Sequence, residues 1–342
     1  MPGETFLPRK AREKKLIEVK HLTKKYGDHK AVSDLNFRIE NGEIYGFLGP
    51  NGAGKTTTMN MMTGCLSATE GSVTIDGLDI FEDATKAKKK IGYLPELPPL
   101  YQDMTPEEYL RFVARAKGVK GPDVEKQIDH AMKVTGTHGV KNRLIRNLSK
   151  GYKQRVGIAQ ALLGDPEIII LDEPTVGLDP KQIIEIRELI KELGKDHTVI
   201  LSSHILSEVQ EVCSRIMIIS KGRLVANDTP DNLEKRMRGD FRLELVARAT
   251  KGEAEEILAS LEGIRELEIT PRGGTVEIGL TTEDNLDITE GVFFAFAEAK
   301  KPILEMRPIR SSLEDIFLEL TGNKEEVAFR RDSHRVGGKE EA

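Results

Sequence analysis

The most specific pattern in the sequence is Gly49-Pro-Asn-Gly-Ala-Gly-Lys-Thr56, which fits G-x-x-x-x-G-K-[ST]. The apolar run Ile44–Leu48 precedes it, and Thr56–Thr63 follows with a helical pattern. Glycines let backbone N–H groups close around phosphate oxygens, and the N-terminus of a helix adds the positive end of its dipole. The pattern therefore predicts a phosphate-binding loop between a strand and a helix, in which Lys55 reaches the β- and γ-phosphates of a nucleotide.

A second signal is the apolar run Ile168–Leu171, which ends in Asp172 and Glu173. In an open parallel sheet, ligands bind at the edge where the carboxyl ends of the strands meet, so we expect both acids beside the phosphate-binding loop. Asp172 and the hydroxyl of Thr56 are predicted to hold Mg²⁺. Glu173 is predicted to be the general base that polarises the attacking water. Together the two motifs predict an enzyme that hydrolyses a nucleoside triphosphate.

The pattern of the chain changes once between its two ends. Residues 16–236 alternate strand-like and helix-like segments, and several strands are continuous apolar runs, which is typical of a parallel sheet covered on both faces. Residues 241–322 follow the order strand, helix, strand, strand, helix, strand, helix, which indicates a small ferredoxin-like α+β domain. Residues 1–15, which are basic, and residues 323–342, which are highly charged, are predicted to be flexible tails.

Four further segments narrow the class of nucleotide-binding enzyme. They are Tyr26, Leu148-Ser-Lys-Gly-Tyr-Lys-Gln154, Gly177-Leu-Asp179 and His204. In this order they resemble the adenine-stacking aromatic residue, the LSGGQ-type signature, the loop after the catalytic glutamate and the switch histidine of ATP-binding cassette (ABC) ATPases. The resemblance covers residues 16–236, and it implies the fold of that family, an α/β P-loop NTPase cassette with a helical subdomain.

The resemblance implies that two cassettes close head to tail around two ATP molecules, with each signature facing the phosphate-binding loop of the other subunit. The expected catalytic residues are Glu173, His204 and Lys55, and the expected Mg²⁺ site comprises Thr56, Asp172 and Glu96. The expected ATP contacts are Tyr26, Gly49, Pro50, Asn51, Gly52, Ala53, Gly54, Lys55, Thr56, Thr57, Ser149 and Gly151. Taken alone, Ser149 fits an ordinary helix N-cap as well as it fits a ligand contact.

The sequence departs from the common family pattern at specific positions. Glu96 stands where the family usually has the glutamine of its Q-loop, and a carboxylate there adds negative charge beside the phosphates. The signature has Lys150 and Tyr152 where glycine and glutamine are commonest. With the Pro95–Tyr101 segment and the ending Ser312–Phe317, these departures resemble the ATPase subunits of bacterial exporters whose membrane subunits are separate chains. Such subunits often carry a small α+β domain after the cassette.

The charge composition and the hydropathy of the chain argue against a nucleic-acid partner and against a membrane-spanning helix. Lys and Arg total 51 against 56 Asp and Glu, a net charge of −5, so the chain lacks the basic excess of a dedicated nucleic-acid binder. No apolar run approaches the roughly 20 residues of a membrane helix. By the family resemblance, the expected partners are a separate transmembrane permease and a second ATP-binding subunit, and no nucleic acid. The expected location is the cytoplasm, at the inner face of the cell membrane, with the segment from Pro95 through Lys117 contacting the permease.

Other ATPase classes fit the sequence less well. A DNA-repair or chromosome-organising ATPase has a long coiled coil between loop and signature, and no sustained heptads lie between Lys55 and Ser149. A ribosome-acting protein normally carries two cassettes, and this sequence has one motif set. A regulatory module that binds ATP without hydrolysing it would not need Glu173 and His204. Homodimer and heterodimer are both compatible with the motifs, and no residue pattern identifies the cargo or the role of the C-terminal domain.

Overall fold

The computed structural model describes residues 16–236, 241–282 and 286–309, together with residue 317. The chain divides into two compact units, and the division falls between Pro230 and Asp231. Both predicted tails lie outside the described residues, as does the predicted final helix apart from Phe317, which is helical. The boundary of the cassette at residue 236 stays a prediction.

The first unit alternates strands and helices. In chain order its described elements are β1 (Leu16–Tyr26), β2 (His29–Glu40), β3 (Ile44–Leu48), α1 (Lys55–Met62), β4 (Glu70–Ile75), β5 (Leu78–Asp79), α2 (Ala84–Lys88), β6 (Ile91–Leu94), α3 (Pro106–Ala116), α4 (Gly121–Val134), α5 (Lys150–Leu162), β7 (Ile168–Leu171), α6 (Pro180–Leu193), β8 (Thr198–Ser203), α7 (Leu206–Val212), β9 (Arg215–Ser220) and β10 (Arg223–Asp228). Short 3₁₀ turns at His138–Val140 and Ile145–Asn147 precede α5, and α8 (Pro230–Arg236) follows β10.

Two sheets organise the first unit. One is antiparallel, with the strand order β2-β1-β4-β5. The other has the order β10-β9-β3-β8-β7-β6, in which β9 to β6 run parallel and β10 is antiparallel. The predicted parallel sheet is confirmed. Because β3, β8 and β7 are neighbours in that order, the loops that follow their carboxyl ends lie side by side, and these are the loops that carry the predicted catalytic residues.

A single apolar cluster joins the antiparallel sheet, α1 and the parallel sheet. Phe37 from β2 and Phe47 from β3 meet edge to face in it, with ring centroids 5.4 Å apart. Met59 and Met62 bring α1 onto the same cluster. Fully burying side chains of this size stabilises a fold by about 1.5–3 kcal/mol each. This packing fixes the phosphate-binding loop, which lies between β3 and α1.

Helices α3, α4 and α5 pack against one another and form the predicted helical subdomain. Helix α5, which begins in the signature, is held at both ends. At its N-terminus the Ser149 hydroxyl accepts a hydrogen bond from the backbone N–H of Tyr152 at 3.4 Å. At its C-terminus the Lys117 ammonium donates to the backbone oxygens of Gln160 and Leu163, at 3.0 and 2.9 Å. Both contacts satisfy backbone groups or complement the dipole at the helix ends.

The second unit is a small α+β fold. Its described elements are β11 (Arg242–Ala247), α9 (Lys251–Ala259), β12 (Ile264–Arg272), β13 (Thr275–Thr282), α10 (Thr289–Glu298) and β14 (Ile303–Ile309). The strands form one antiparallel sheet in the order β12-β13-β11-β14, which is the ferredoxin-like order. Alternate residues of β11 and β13 are buried and pack with Val292 and Phe296 of α10. The turn between β12 and β13 falls at Gly273-Gly274, where φ is positive at both residues.

Candidate active site

The phosphate-binding loop spans the residues between the end of β3 and the start of α1. Gly54, at the N-cap of α1, has φ of +104°, a conformation that residues with a Cβ rarely adopt. A Cβ on Gly49 would stand 2.4 Å from the backbone oxygen of Ile219, so only glycine fits there. The N–H groups of the first turn of α1 have no partner within the helix and are free to bind an anion. The predicted loop and its helix are therefore both present.

Lys55 is buried at the base of this loop. Its ammonium donates to the backbone oxygen of Gly49 at 2.8 Å and lies 3.2 Å from Oε1 of Glu173. Both side chains of this ion pair are almost fully buried. The structure thus brings the predicted phosphate-binding lysine into direct contact with the predicted general base.

Asp172 is wholly buried at the carboxyl end of β7. Its Oδ1 accepts a hydrogen bond of 2.6 Å from the Ser202 hydroxyl, which in turn accepts from the backbone N–H of Glu173 at 2.8 Å. Burial raises the pKa of Asp172, and the Glu173 charge acts in the same direction, while the Ser202 and Thr56 hydroxyls oppose the shift. Among the described residues, Asp172 Oδ2 is buried with no hydrogen-bond partner.

These features fit a Mg²⁺ ion. Mg²⁺ prefers hard oxygen ligands and is commonly held by one or two carboxylates together with substrate phosphates and water. The unpartnered Asp172 Oδ2 and the Thr56 hydroxyl supply such oxygens. Within the described ranges, no group of three or more His, Cys, Asp or Glu is placed to hold a metal by itself.

Glu173 is held in a defined position. Its φ is +48°, which costs about 1–3 kcal/mol for a residue other than glycine and persists only where the surroundings hold it. The carboxylate lies between two partners, with Oε1 near the Lys55 ammonium and Oε2 2.9 Å from Nδ1 of His204. Only 6% of the residue is exposed. The predicted base and the predicted switch histidine are in direct contact.

Ser202 is a further candidate site residue that none of the sequence motifs predicts. Its hydroxyl bridges Asp172 and the backbone of Glu173, and so fixes both acids. The contact arises because β7 and β8 pair side by side, with Leu171 opposite Leu201. One feature of the sequence could have indicated Ser202: it lies in β8, the strand that leads into His204, and β8 is the neighbour of β7, which ends in the two acids.

Other predicted residues lie apart from this cluster. Tyr26 is 51% exposed at the end of β1, with the Lys24 ammonium 5.4 Å from its ring centroid. Ser149 and Gly151 line a cleft of about 550 Å³ together with Asp179. Glu96 is exposed after β6, and within the part of the chain that the structure describes no hydrogen bond or ion pair links it to the acids. Its Mg²⁺ role stays a prediction.

The phosphate-binding loop, the buried Asp172 with its unpartnered Oδ2, and the lysine–glutamate–histidine arrangement define a P-loop nucleoside triphosphatase. A family model described as "ABC transporter" matches residues 32–176. An uncharacterized ABC transporter ATP-binding protein of Bacillus subtilis is 39% identical over 319 residues, which is 92% of this chain and 99% of that protein. The chain belongs to the ABC transporter ATP-binding proteins.

Further comparisons agree with this assignment. The bacitracin transport ATP-binding protein of Bacillus licheniformis is 35% identical, over 90% of this chain and 97% of that protein. A solved dimeric ATP-binding cassette in a post-hydrolysis state, bound to ADP and phosphate, is 28% identical with a TM-score of 0.57, covering 62% of this chain and 98% of that one. The chain is thus the ATP-binding subunit of an ABC transporter. It is an ATPase that uses ATP with Mg²⁺, and its partners are a second ATP-binding subunit and a transmembrane permease.

No helix among the described residues is both long enough and apolar enough to span a bilayer.

Proposed function

We propose that this chain hydrolyses ATP with Glu173 as the general base and passes the resulting motion to an exporter at the inner face of the cell membrane. One observation carries the catalytic part: the Glu173 carboxylate is buried between the Lys55 ammonium at 3.2 Å and the His204 imidazole at 2.9 Å. A carboxylate fixed in this way can orient water and accept its proton. Phosphate release by the Glu173→Gln chain tests this role, and we expect it to be lost.

Lys55 has two alternative partners in this scheme. In the structure its ammonium pairs with Glu173 and with the Gly49 backbone oxygen. The β- and γ-phosphates of ATP carry more negative charge than one carboxylate, so Lys55 turns to them when ATP binds. Glu173 then keeps His204 as its partner and is free to accept a proton from water. Thr56 and Asp172 would hold Mg²⁺, which would neutralise charge on the phosphate oxygens.

The remaining ATP contacts are proposed to come from two chains. The exposed ring of Tyr26 stacks on adenine, and backbone N–H groups of residues 49–57 surround the phosphates. The exposed Ser149 at the N-terminus of α5 meets the γ-phosphate of the nucleotide bound to the partner cassette. Gly151 is proposed as a second contact to that nucleotide; within this chain its lack of a Cβ lets the Gln182 side chain pack against the first turn of α5, since a Cβ would lie 2.6 Å from Gln182 Oε1.

An exposed apolar surface follows the Q-loop position. Leu97 is 83% exposed, and the partly exposed rings of Tyr101 and Phe112 stand 5.3 Å apart. These three residues form the surface that we propose as the permease contact. Single exposed apolar residues are common, whereas neighbouring exposed rings such as Tyr101 and Phe112 often mark a protein interaction site.

The exchange Leu97→Asp tests this surface. We expect at least about a tenfold loss of the membrane protein that copurifies with the chain, because a charge is placed where apolar area is buried. Basal ATP turnover is expected to stay within about twofold, since Leu97 makes no contact with the Lys55–Glu173–His204 cluster. The measurement is copurification from detergent-solubilised membranes together with phosphate release.

Leu267→Asp is the matched control, because Leu267 is an exposed leucine on β12 of the second unit. It should leave copurification unchanged. Leu100 is a poor choice for this test because it is buried, and a charge there would damage the fold. Unchanged copurification of the Leu97→Asp chain would rule out this contact surface.

Export is the proposed direction of transport. The departures at Glu96, Lys150 and Tyr152 resemble those of exporter ATPases, and a relative that matches nearly the whole chain is named for bacitracin transport. Residues 16–236 are proposed as the ATPase cassette and residues 241–322 as an accessory domain that acts in dimer stabilisation or regulation. The chain would be peripheral to the membrane and held there by its permease.

A further inference from the structure

A third buried carboxylate, besides Asp172 and Glu173, lies next to the active site and has no role in the proposed reaction. Glu208, on α7, is 5% exposed. Its Oε2 accepts a hydrogen bond of 2.6 Å from the Thr175 hydroxyl and one of 3.0 Å from the Ser203 hydroxyl. One carboxylate oxygen thus joins side chains from two different loops.

Burying this carboxylate has a cost that apolar packing would avoid. Within the described residues no lysine, arginine or histidine forms an ion pair with Glu208, so its two hydroxyl donors are its recorded polar partners. A leucine of similar volume would fill the same space without a desolvation penalty. The neighbour Val209 fills its own position on α7 as an ordinary core residue and is fully buried. This contrast indicates that position 208 requires a hydrogen-bond acceptor and not only a side chain that fills the space.

The two hydroxyls lie beside the catalytic residues. Thr175 follows Glu173 by two positions in the loop after β7. In that loop the backbone N–H of Val176 donates a hydrogen bond of 3.2 Å to the backbone carbonyl oxygen of Glu173. Ser203 directly precedes His204, and its hydroxyl also accepts from the backbone N–H of Ile205 at 3.0 Å. Glu208 therefore connects the loop that carries the base to the loop that carries the histidine.

We propose that Glu208 is a positioning residue that holds these two loops together and so sets the contact between Glu173 and His204. It touches neither nucleotide nor metal in this scheme and acts through Thr175 and Ser203. A shift of about 1 Å in a catalytic group can cost a large factor in rate without loss of substrate binding. The inference rests on the proposed role of Glu173 as general base.

The exchange Glu208→Leu keeps the volume and removes the acceptor. We expect kcat for ATP hydrolysis to fall about tenfold while KM for ATP stays within about twofold, because the base is misplaced and the phosphate-binding loop is untouched. Glu208→Gln can place its amide oxygen where Oε2 stands and accept from both hydroxyls, so its kcat is expected within about twofold of the parent. We call the two hydrogen bonds from Thr175 and Ser203 to Glu208 the brace. Retention of kcat by Glu208→Gln would show that the brace depends on the hydrogen-bond acceptor and not on the negative charge of Glu208.

Val209→Ala is the matched control, because it creates a cavity on the same helix without touching the brace. It should lower the melting temperature and leave kcat close to the parent value at a temperature well below melting. If the Glu208→Leu chain fails to fold, Thr175→Val and Ser203→Ala each remove one of the two bonds. Each is expected to lower kcat about threefold at constant KM.

The brace is overturned if Glu208→Leu keeps the parent kcat, if Val209→Ala loses as much kcat as Glu208→Leu, or if Glu208→Gln falls as far as the leucine variant. Glu173→Gln is measured in parallel. Full turnover by Glu173→Gln would refute the proposed catalytic role itself. Lost turnover in Glu173→Gln with normal turnover in Glu208→Leu would refute only the brace.

Discussion

Replacing Glu173 by glutamine is expected to lower steady-state ATP turnover by about 10²- to 10⁴-fold while ATP still binds. Glutamine has the same shape and can keep a hydrogen bond to His204, which lies 2.9 Å from the carboxylate. It cannot accept a proton from water, so the chemical step loses its base. The measurement is phosphate release at saturating Mg·ATP, combined with the affinity for ATP under the same conditions.

Glu211→Gln is the matched control for this exchange. Glu211 is a carboxylate on α7 that pairs with Arg187 near the surface, away from the Lys55–Glu173–His204 cluster. The exchange should change turnover by less than about twofold, because glutamine can still accept a hydrogen bond from the Arg187 guanidinium and neither residue belongs to the Lys55–Glu173–His204 cluster. Full turnover by Glu173→Gln would show that another group takes the proton.

The exchange Lys55→Ala is expected to weaken ATP binding about 10- to 100-fold and to abolish measurable turnover. A charge-assisted hydrogen bond to phosphate contributes about 1.5–3 kcal/mol, and a tenfold change in affinity corresponds to about 1.4 kcal/mol. The exchange also leaves the buried Glu173 without its partner at 3.2 Å, which lowers the free energy of unfolding. Calorimetric titration with Mg·ATP measures the first effect and thermal melting the second.

Lys191→Ala controls for the loss of a positive charge, since Lys191 pairs with Glu188 on the exposed side of α6. Its ATP affinity should match that of the parent. ATP affinity within about threefold of the parent in a folded Lys55→Ala chain would contradict the assignment of this lysine to the phosphates.

The sequence predicts the parts of the site that are contiguous along the chain. The loop from Gly49 to Thr56 follows a strand and precedes a helix because its glycines and the flanking apolar pattern favour no other arrangement. Asp172 and Glu173 are predicted from the apolar strand that ends in them. These predictions depend only on local geometry and on the rule that strand ends meet at one edge of a parallel sheet.

Ser202 and Glu208 are not predictable in that way. Their contacts depend on β7 and β8 being neighbours and on α7 packing against both loops, and strand order is not encoded in any short segment. Serine near the end of a strand and glutamate on a short helix are commonly surface residues, so the sequence alone does not indicate that Ser202 and Glu208 are buried. Only the assembled sheet shows that they contact the catalytic loops.

The second unit was predictable for a different reason. Its turns and alternating strands give the element order, and one antiparallel arrangement of that order covers its apolar face with two helices. Its role does not follow from that order, because the same fold serves many functions.

We propose that two copies of this cassette enclose ATP between the Gly49–Thr56 loop of one copy and Ser149 of the other. Light scattering on the Glu173→Gln chain with Mg·ATP tests it most directly, with a Ser149→Arg exchange in the same background as control. We expect the Glu173→Gln chain to form a particle of two chains that holds two ATP molecules. With Ser149→Arg in the same background, we expect single chains. Single chains at saturating Mg·ATP, or a dimer unaffected by the arginine, would contradict it.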